Sequence, residues 1–304
     1  MSTRKETRIA YLKRLDGVVS KSFHDKTILV VGLGAGSFAA EKLARMLPRG
    51  VKLCDFDHVE HENLSRTAYT FEDAELGRPK SEALAQRIRA INPFVEVTPC
   101  LASFTDMLQG ERLELLKGVD LIVAGTDYFP AQALVNALAV EHGIPAVFVG
   151  IHDNAEGGVI IWTVPGHTPC YRCLAGKRYE TAEQGRLDDL NLRGALGSIW
   201  DCQFIDTIAH KVAVAILERG QDSQMGRFYE SMVGRNEIVV RTDPHYEWGG
   251  LLWDAVLGDL PRDPKDYAKE LKDEVLFCMD TIWLKGMKNP DCPVCGRISN
   301  QASN

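Results

Sequence analysis

Short apolar runs rich in β-branched residues recur along the first half of the chain, separated by stretches whose apolar positions fall at helical spacing. Ile28–Val31, Val51–Cys54, Val95–Thr98, Leu121–Ala124 and Ala146–Val149 have the length and composition of buried strands. Between them, "SFAAEKLARML" places Ala39, Leu43, Met46 and Leu47 on one helical face. "RPKSEALAQRIRAINP" aligns Leu84, Ile88 and Ile91 and stops at Asn92-Pro93, because proline disfavours helix in the residue before it. "AQALVNALAVEHG" aligns Leu134 and Leu138 and stops at Gly143. This alternation predicts an α/β fold: a Rossmann-like, doubly wound, mostly parallel sheet with helices on both faces.

After Val149 the rhythm changes. "GGVIIWTVPG" predicts one more strand, and "FIDTIAHKVAVAILERG" a helix with Ile205, Ile208, Val212 and Ile216 inward, ended by Gly220. Residues 176–198 are polar and weakly patterned, which predicts a mobile loop or crossover. The expected organisation is an N-terminal helical arm over 1–25, a nucleotide-binding half over 26–150, and a second half of the same domain over 151–304. The second half contains extra sequence at 223–288. Its Tyr246, Trp248, Leu251, Leu252 and Trp253 fit either core packing or a docking surface.

Composition narrows the chemistry. A net charge of -7 over 304 residues argues against broad nucleic-acid binding, which relies on surplus Lys and Arg, and leaves room only for a local basic pocket. No run of about eighteen apolar residues occurs, and the charged start lacks an apolar leader core, so a cytoplasmic protein without a membrane span is expected. Eight cysteines in such a chain suggest metal ligation or packing rather than disulfides. Four form C-x-x-C pairs, Cys170/Cys173 in "TPCYRCLAG" and Cys292/Cys295 in "NPDCPVCG". A tight turn aims each pair at one point, and two such knuckles make a tetrahedral thiolate site suited to structural Zn²⁺. Two unrelated redox or buried pairs are the alternative. With zinc bound, the C-terminal β/α extension would be fastened back onto the middle of the chain. Cys54, Cys100 and Cys278 read as packing residues.

"VVGLGAGS" sets Gly32, Gly34 and Gly36 between a strand and a helix. Such a turn offers backbone N–H groups to phosphate without Cβ obstruction, and NAD, FAD and ATP can all use it. Ser37 replaces the third glycine of the usual dinucleotide spacing, which weakens the NAD reading. Asp55 and Asp57 close the second strand, where an acid can hold ribose hydroxyls. Asn63, Arg66 and Lys80 follow, and Asp127 lies just after the strand "LIVAG". A triphosphate requires cations to offset its charge, whereas a hydride carrier does not, and a carboxylate at that edge can hold Mg²⁺. Together these groups read as a site for Mg-ATP.

In this order, "VGLGAGS", "DFDHVEHENLSR", "GRPKSEAL", "AGTDYFPAQALVNAL", "PCYRCL" and "NPDCPVCG" resemble the ThiF/MoeB-type branch of the ubiquitin-activating enzyme superfamily. The resemblance spans roughly residues 20 to 220 and resumes near 276. It implies adenylation of the C-terminal carboxylate of a small β-grasp (ubiquitin-like or sulfur-carrier) protein ending in glycine, less often of a peptide or a tRNA base, by an enzyme that usually works as a homodimer. Carried over by motif, Asp55 would bind the ribose with Asp57 nearby, Asn63 and Arg66 the phosphates, Lys80 the triphosphate charge, and Asp127 the Mg²⁺.

The chain departs from that pattern in informative places. Ala35 and Ser37 stand where glycines are common, and Gln132 where an arginine often follows the magnesium aspartate. The N-terminal arginine that relatives extend across a dimer has only approximate counterparts in Arg8 and Arg14. Relatives that pass the acyl group to a thiol carry a cysteine after the first knuckle, and residues 174–198 contain none. Cys202 is the candidate left: it begins the next helix, where amide N–H groups can lower a thiol pKa, and packing beside Trp200 is the competing reading. An NAD- or FAD-linked oxidoreductase and a non-catalytic partner subunit of an activating enzyme stay open as alternatives.

Overall fold

The computed structural model describes residues 4–34, 36–152, 155–190, 197–243 and 279–296. Ala35, Cys278, the 191–196 stretch and the aromatic group Tyr246, Trp248 and Trp253 with Leu251 and Leu252 lie outside the described residues.

The chain opens with α1 (Arg4–Leu12), which has no buried residue and is tied down through Tyr11 Oη donating to the Arg45 carbonyl at 3.0 Å. Then follow β1 (Thr27–Val31), α2 (Ser37–Arg45), β2 (Gly50–Asp55), α3 (Phe71–Glu75), α4 (Lys80–Ile91), β3 (Glu96–Leu101), α5 (Gln109–Leu116), β4 (Leu121–Ala124), α6 (Phe129–His142) and β5 (Ala146–Ile151). The second half contributes β6 (Gly157–Thr163), α7 (Tyr171–Leu174), α8 (Gly176–Glu183), α9 (Ile199–Leu217), α10 (Gln224–Met232), β7 (Glu237–Arg241) and β8 (Asp280–Leu284).

Among the described residues, the eight strands join one sheet in the order β3-β2-β1-β4-β5-β6-β7-β8. The first five run parallel; β6, β7 and β8 extend the sheet antiparallel. The inner parallel strands β1, β4 and β5 are apolar on both sides because both faces are covered, whereas the edge strand β3 has no fully buried residue; the alternation along the inner strands assigns each residue to a layer. Ile28, Val30, Val51, Leu53, Leu121 and Val123 point into a core shared with α2, α4, α9 and α10. Leu29, Val31, Cys54, Ile122 and Ala124 point into a second core with α5, α6, α7 and α8. In α9, Ile205, Val212 and Ile216 are buried as the periodicity predicts, and Ile208 is half-buried against the same core.

Strand β3 runs past the expected Thr98 to Leu101, because its parallel pairing with β2 continues to Asp55 and sets Cys100 beside Cys54. Residues 176–183, read from sequence within a loop, are helical; Tyr179 is buried there, edge-on to Phe129 at 5.0 Å. Among the described residues no helix is long and apolar enough to cross a membrane.

Candidate active site

Strand order reverses between β1 and β4, and in open α/β sheets ligands bind outside the carboxyl ends of the strands at such a switch point. The glycine turn leaves β1 there. Gly32 has φ +86°, and a Cβ on it would come within 2.7 Å of Thr126, so only glycine lets the two strand ends close on each other. A Cβ on Gly36 would meet the Gly32 carbonyl at 2.5 Å, whereas one on Gly34 would meet nothing within 4 Å. Gly32 and Gly36 are therefore required by the turn itself, and Gly34 is the position left open toward a ligand.

The departure at Ser37 is absorbed locally. Its buried Oγ accepts the Ala68 amide at 3.0 Å, holding the segment that carries Asn63 and Arg66 against the start of α2. Tyr69 Oη donates to the Leu33 carbonyl at 2.7 Å, a second clasp on the same turn.

A continuous line of polar contacts joins the glycine turn to the first residue of α4. Asp55 Oδ2 accepts the Leu33 amide at 2.6 Å, and Asp55 Oδ1 accepts the Asp57 amide at 2.8 Å. Lys80 Nζ donates to Asp57 Oδ2 at 2.9 Å, while its backbone N–H donates to the Asp57 carbonyl, also at 2.9 Å. Burial pushes the Asp55 carboxyl above the usual carboxylate range, against the two backbone N–H bonds and the nearby Lys80 charge. The Lys80 side chain is 10% exposed and that of Asp57 49%, so the cation is sheltered and the acid beside it is open. Asn63 is buried, with Oδ1 accepting the Glu60 amide at 3.2 Å, and Arg66 is half-buried. Asp127 is exposed in the turn between β4 and α6. Asp55, Asp57, Lys80 and Asp127 thus gather at the carboxyl edge with the glycine turn, whereas Arg8 and Arg14 are exposed near the N-terminus.

Cys202 is buried near the start of α9. Burial, together with the Asp206 charge, pushes its thiol up to about 11 despite the counteracting Arg66, opposite to the lowering expected from the helix amides.

The two knuckle pairs, 119 or more positions apart in sequence, meet in space. The sulfurs of Cys170, Cys173, Cys292 and Cys295 all lie within 4.8 Å of one another. Cys170–Cys173 are 3.9 Å apart, Cys170–Cys292 3.7 Å and Cys173–Cys295 3.5 Å. Zinc–thiolate bonds of about 2.3 Å in a tetrahedron place sulfurs about 3.8 Å apart, so the four thiols fit a metal of that size.

Sequence reasoning missed the surroundings of Gln132. This residue is buried on α6, and its Oε1 accepts from Tyr171 Oη at 2.7 Å and from Arg178 Nη1 at 2.7 Å. The guanidinium also donates to Tyr171 Oη at 2.6 Å and lies over the Phe129 ring, 5.0 Å from its centroid. Nothing in the polar stretch around residue 178 signals that role, because the partner comes from 46 positions away.

A mostly parallel, open sheet with a glycine turn, a sheltered lysine and carboxylates collected at its switch point defines a doubly wound α/β protein with a candidate ligand site at that edge. Within that class the chain belongs to the ThiF family, which matches residues 8–230. The sequence is 35% identical over 156 residues to the sulfur carrier protein ThiS adenylyltransferase of Bacillus subtilis, covering 51% of this chain and 45% of that one. It is 31% identical over 203 residues to the molybdopterin-synthase adenylyltransferase of Escherichia coli, covering 65% and 79%. The SAMP-activating enzyme E1 of Haloferax volcanii is 32% identical over 221 residues, covering 71% and 77%. The chain thus spans less than half of the first of these relatives and more than three quarters of the other two. Among solved structures, E. coli MccB with ATP shares the fold, with a TM-score of 0.63 at 18% identity over 90% of this chain and 67% of that one.

Proposed function

We propose that this protein uses ATP to adenylate the C-terminal carboxylate of a small β-grasp, ubiquitin-like or sulfur-carrier protein ending in glycine. The observation that carries the reading is the unbroken line from Lys80 through Asp57 and Asp55 to the Leu33 amide of the glycine turn. It sets one sheltered cation beside the backbone amides that would receive phosphates. Family membership and the adenylyltransferase relatives support the same chemistry.

In this reading the amides around Gly34 and the N-terminus of α2 cradle the phosphates. Asp55 and Asp57 take ribose hydroxyls; each carboxylate oxygen keeps a lone pair beyond its present bond. Asn63 and Arg66 hold phosphate oxygens. Lys80 releases Asp57 and moves toward the triphosphate, and Asp127 holds Mg²⁺, which offsets charge on the phosphates. The substrate carboxylate attacks the α-phosphorus in line; its oxygen bonds to phosphorus as the bond to the β-phosphate oxygen breaks, giving acyl-adenylate and pyrophosphate. No general base is needed, because a C-terminal carboxylate is ionised at neutral pH. The chain's contribution is placement and charge compensation.

The tetracysteine centre takes Zn²⁺ in a structural role, since four thiolates complete the tetrahedron and no position is left for water. Transfer of the acyl group to Cys202 is not part of the proposal, because that thiol is buried and protonated at neutral pH. Homodimerisation, expected from the family resemblance, and a cytoplasmic location, expected from the apolar pattern of the sequence, belong to the proposal.

The test is ATP–pyrophosphate exchange with a panel of glycine-tailed carrier proteins. Exchange that depends on one carrier, and disappears when its last glycine is amidated, supports the reading. Exchange with none of them, alongside tight binding of a nicotinamide or flavin, overturns it.

A further inference from the structure

Helix α6 carries buried polar residues where its inward face would ordinarily be apolar. Gln132 and Asn136 are 1% and 0% exposed, four positions apart, and Val140 continues the stripe into the cysteine cluster. Asn136 Oδ1 accepts the Tyr171 amide at 3.0 Å, and its Nδ2 lies 3.7 Å from Cys170 Sγ. Tyr171 directly follows the metal-site Cys170, and its hydroxyl bonds Gln132. One ridge of the helix therefore runs from the tetracysteine centre to the switch point.

The upper end of this ridge matters most. With Tyr171 and Arg178 both donating to Oε1, the Gln132 amide can present only its NH₂ in the other direction. That Nε2 donates to the Thr126 carbonyl at 2.7 Å. Thr126 immediately precedes Asp127, and its Oγ1 accepts the Tyr128 amide at 3.1 Å, fixing the turn on the other side. The same threonine packs where a Cβ on Gly32 would stand, 2.7 Å away. A displacement of Thr126 would thus reach both the glycine turn and Asp127.

We propose that Arg178 and Gln132 are positioning residues: Arg178, with Tyr171, locks the Gln132 amide, and Gln132 holds the Thr126 carbonyl so that Asp127 is presented at the nucleotide edge. The part about Asp127 and Mg²⁺ rests on the adenylation reading above. Neither residue touches substrate. Arg178 reaches this position because α7 and α8 are anchored at Cys170, so the brace enters the site from the tetracysteine side of the molecule.

Three variants of the full chain separate this brace from general packing. Arg178→Leu removes the donor, Arg178→Lys restores one nitrogen to the same two oxygens, and Gln132→Glu keeps acceptors for Arg178 and Tyr171 while losing the donor to Thr126. The first readout needs no ligand: amide hydrogen exchange of the peptide covering residues 125–132, with a β2 peptide as the internal control. Arg178→Leu and Gln132→Glu should speed exchange there about fivefold, the loss expected for one buried hydrogen bond, and Arg178→Lys should return it toward the parent. The second readout is the Mg²⁺ concentration giving half-maximal ATP binding by titration calorimetry, expected to rise by a similar factor, about fivefold, in the same two variants.

Unchanged exchange at 125–132 overturns the brace. Faster exchange with an unchanged Mg²⁺ requirement overturns its connection to Asp127. If the parent protein itself binds no Mg-ATP, the adenylation reading fails, and the exchange data still decide whether Arg178 braces the turn.

Discussion

Two clusters of buried polar groups, one on each face of the sheet, are treated in opposite ways. On the α6–α8 side, Gln132, Asn136, Tyr171 and Tyr179 are all hydrogen-bonded, and burial raises both phenols so that they stay neutral: Tyr171 Oη donates to Gln132 Oε1 and Tyr179 Oη accepts from Asn136 Nδ2. On the α2–α9 side, Asp206 and His210 lie four positions apart on α9, buried, and neither Asp206 Oδ2 nor His210 Nε2 has a hydrogen bond of normal geometry. Lys42 is close enough to act on both charges, yet its Nζ is committed to Thr207 Oγ1 at 2.7 Å and the Gln203 carbonyl at 3.3 Å. Burial pushes the Asp206 carboxyl up to about 8, against the Lys42 charge. It pushes His210 down to about 3, with Lys42 adding to the effect and backbone contacts to Asp206 and Ala39 opposing it. A fully paired network fixes geometry, whereas an unpaired one stores sensitivity to pH.

The contrast can be tested in order of expected size. Lys80→Ala should lower turnover about 100- to 1,000-fold, the scale for removing one preorganised charge contact, when pyrophosphate exchange is measured. Melting should change little, because Asp57 is half exposed and water can replace the lysine. Next, Cys292→Ser or chelation should release one zinc per chain, scored by elemental analysis, and lower the melting temperature by roughly 10 °C. Gln132→Leu should cost about 1–3 kcal/mol in urea unfolding, because it leaves the Arg178 and Tyr171 donors and the Thr126 carbonyl without their partner.

Substituting the unpaired side should do the least, and its signature is the pH profile. Asp206 has a folded pKa above its unfolded value, so its burial penalises the folded state increasingly as pH rises from about 4 toward 8. Asp206→Asn should remove that slope and be neutral or stabilising at pH 8. His210 has a folded pKa below its unfolded value, so the stability it contributes is complete above about 6.5 and lost as pH falls toward 3. His210→Gln should flatten that acid limb. If Gln132→Leu is tolerated while Asp206→Asn is strongly destabilising, the comparison between the faces is wrong.

The inner strands β1, β4 and β5 were legible because they are buried on both sides, which leaves continuous apolar runs in the sequence; β7 and β8, within the stretch that reads only as extra sequence, were not legible as strands. The placement of the glycine turn, Asp55 at the end of β2, Asp57 just after it, Lys80 and Asp127 at one edge of the sheet was legible because a motif states residue type and spacing together. Helix α6 shows where that stops. Its periodicity points to Leu134 and Leu138, which are only half-buried, while Gln132, Val135, Asn136 and Ala139 face the core. Hydrophobic pattern cannot reveal a buried polar residue whose partners, here Tyr171 and Arg178, arrive from distant segments. The helix at 176–183 was hidden for a related reason. Its sequence is polar and opens with glycine; packing of Tyr179 and the Arg172–Glu183 ion pair at 2.5 Å hold it, rather than an apolar stripe of its own.

The most direct measurement is a crystal structure with Mg²⁺ and a non-hydrolysable ATP analogue. Phosphates should lie over Gly34 and the N-terminus of α2, with Lys80 Nζ transferred from Asp57 to a phosphate oxygen and Asp127 on the metal. Nucleotide bound away from the switch point, or Lys80 still paired with Asp57 beside an occupied site, would contradict it.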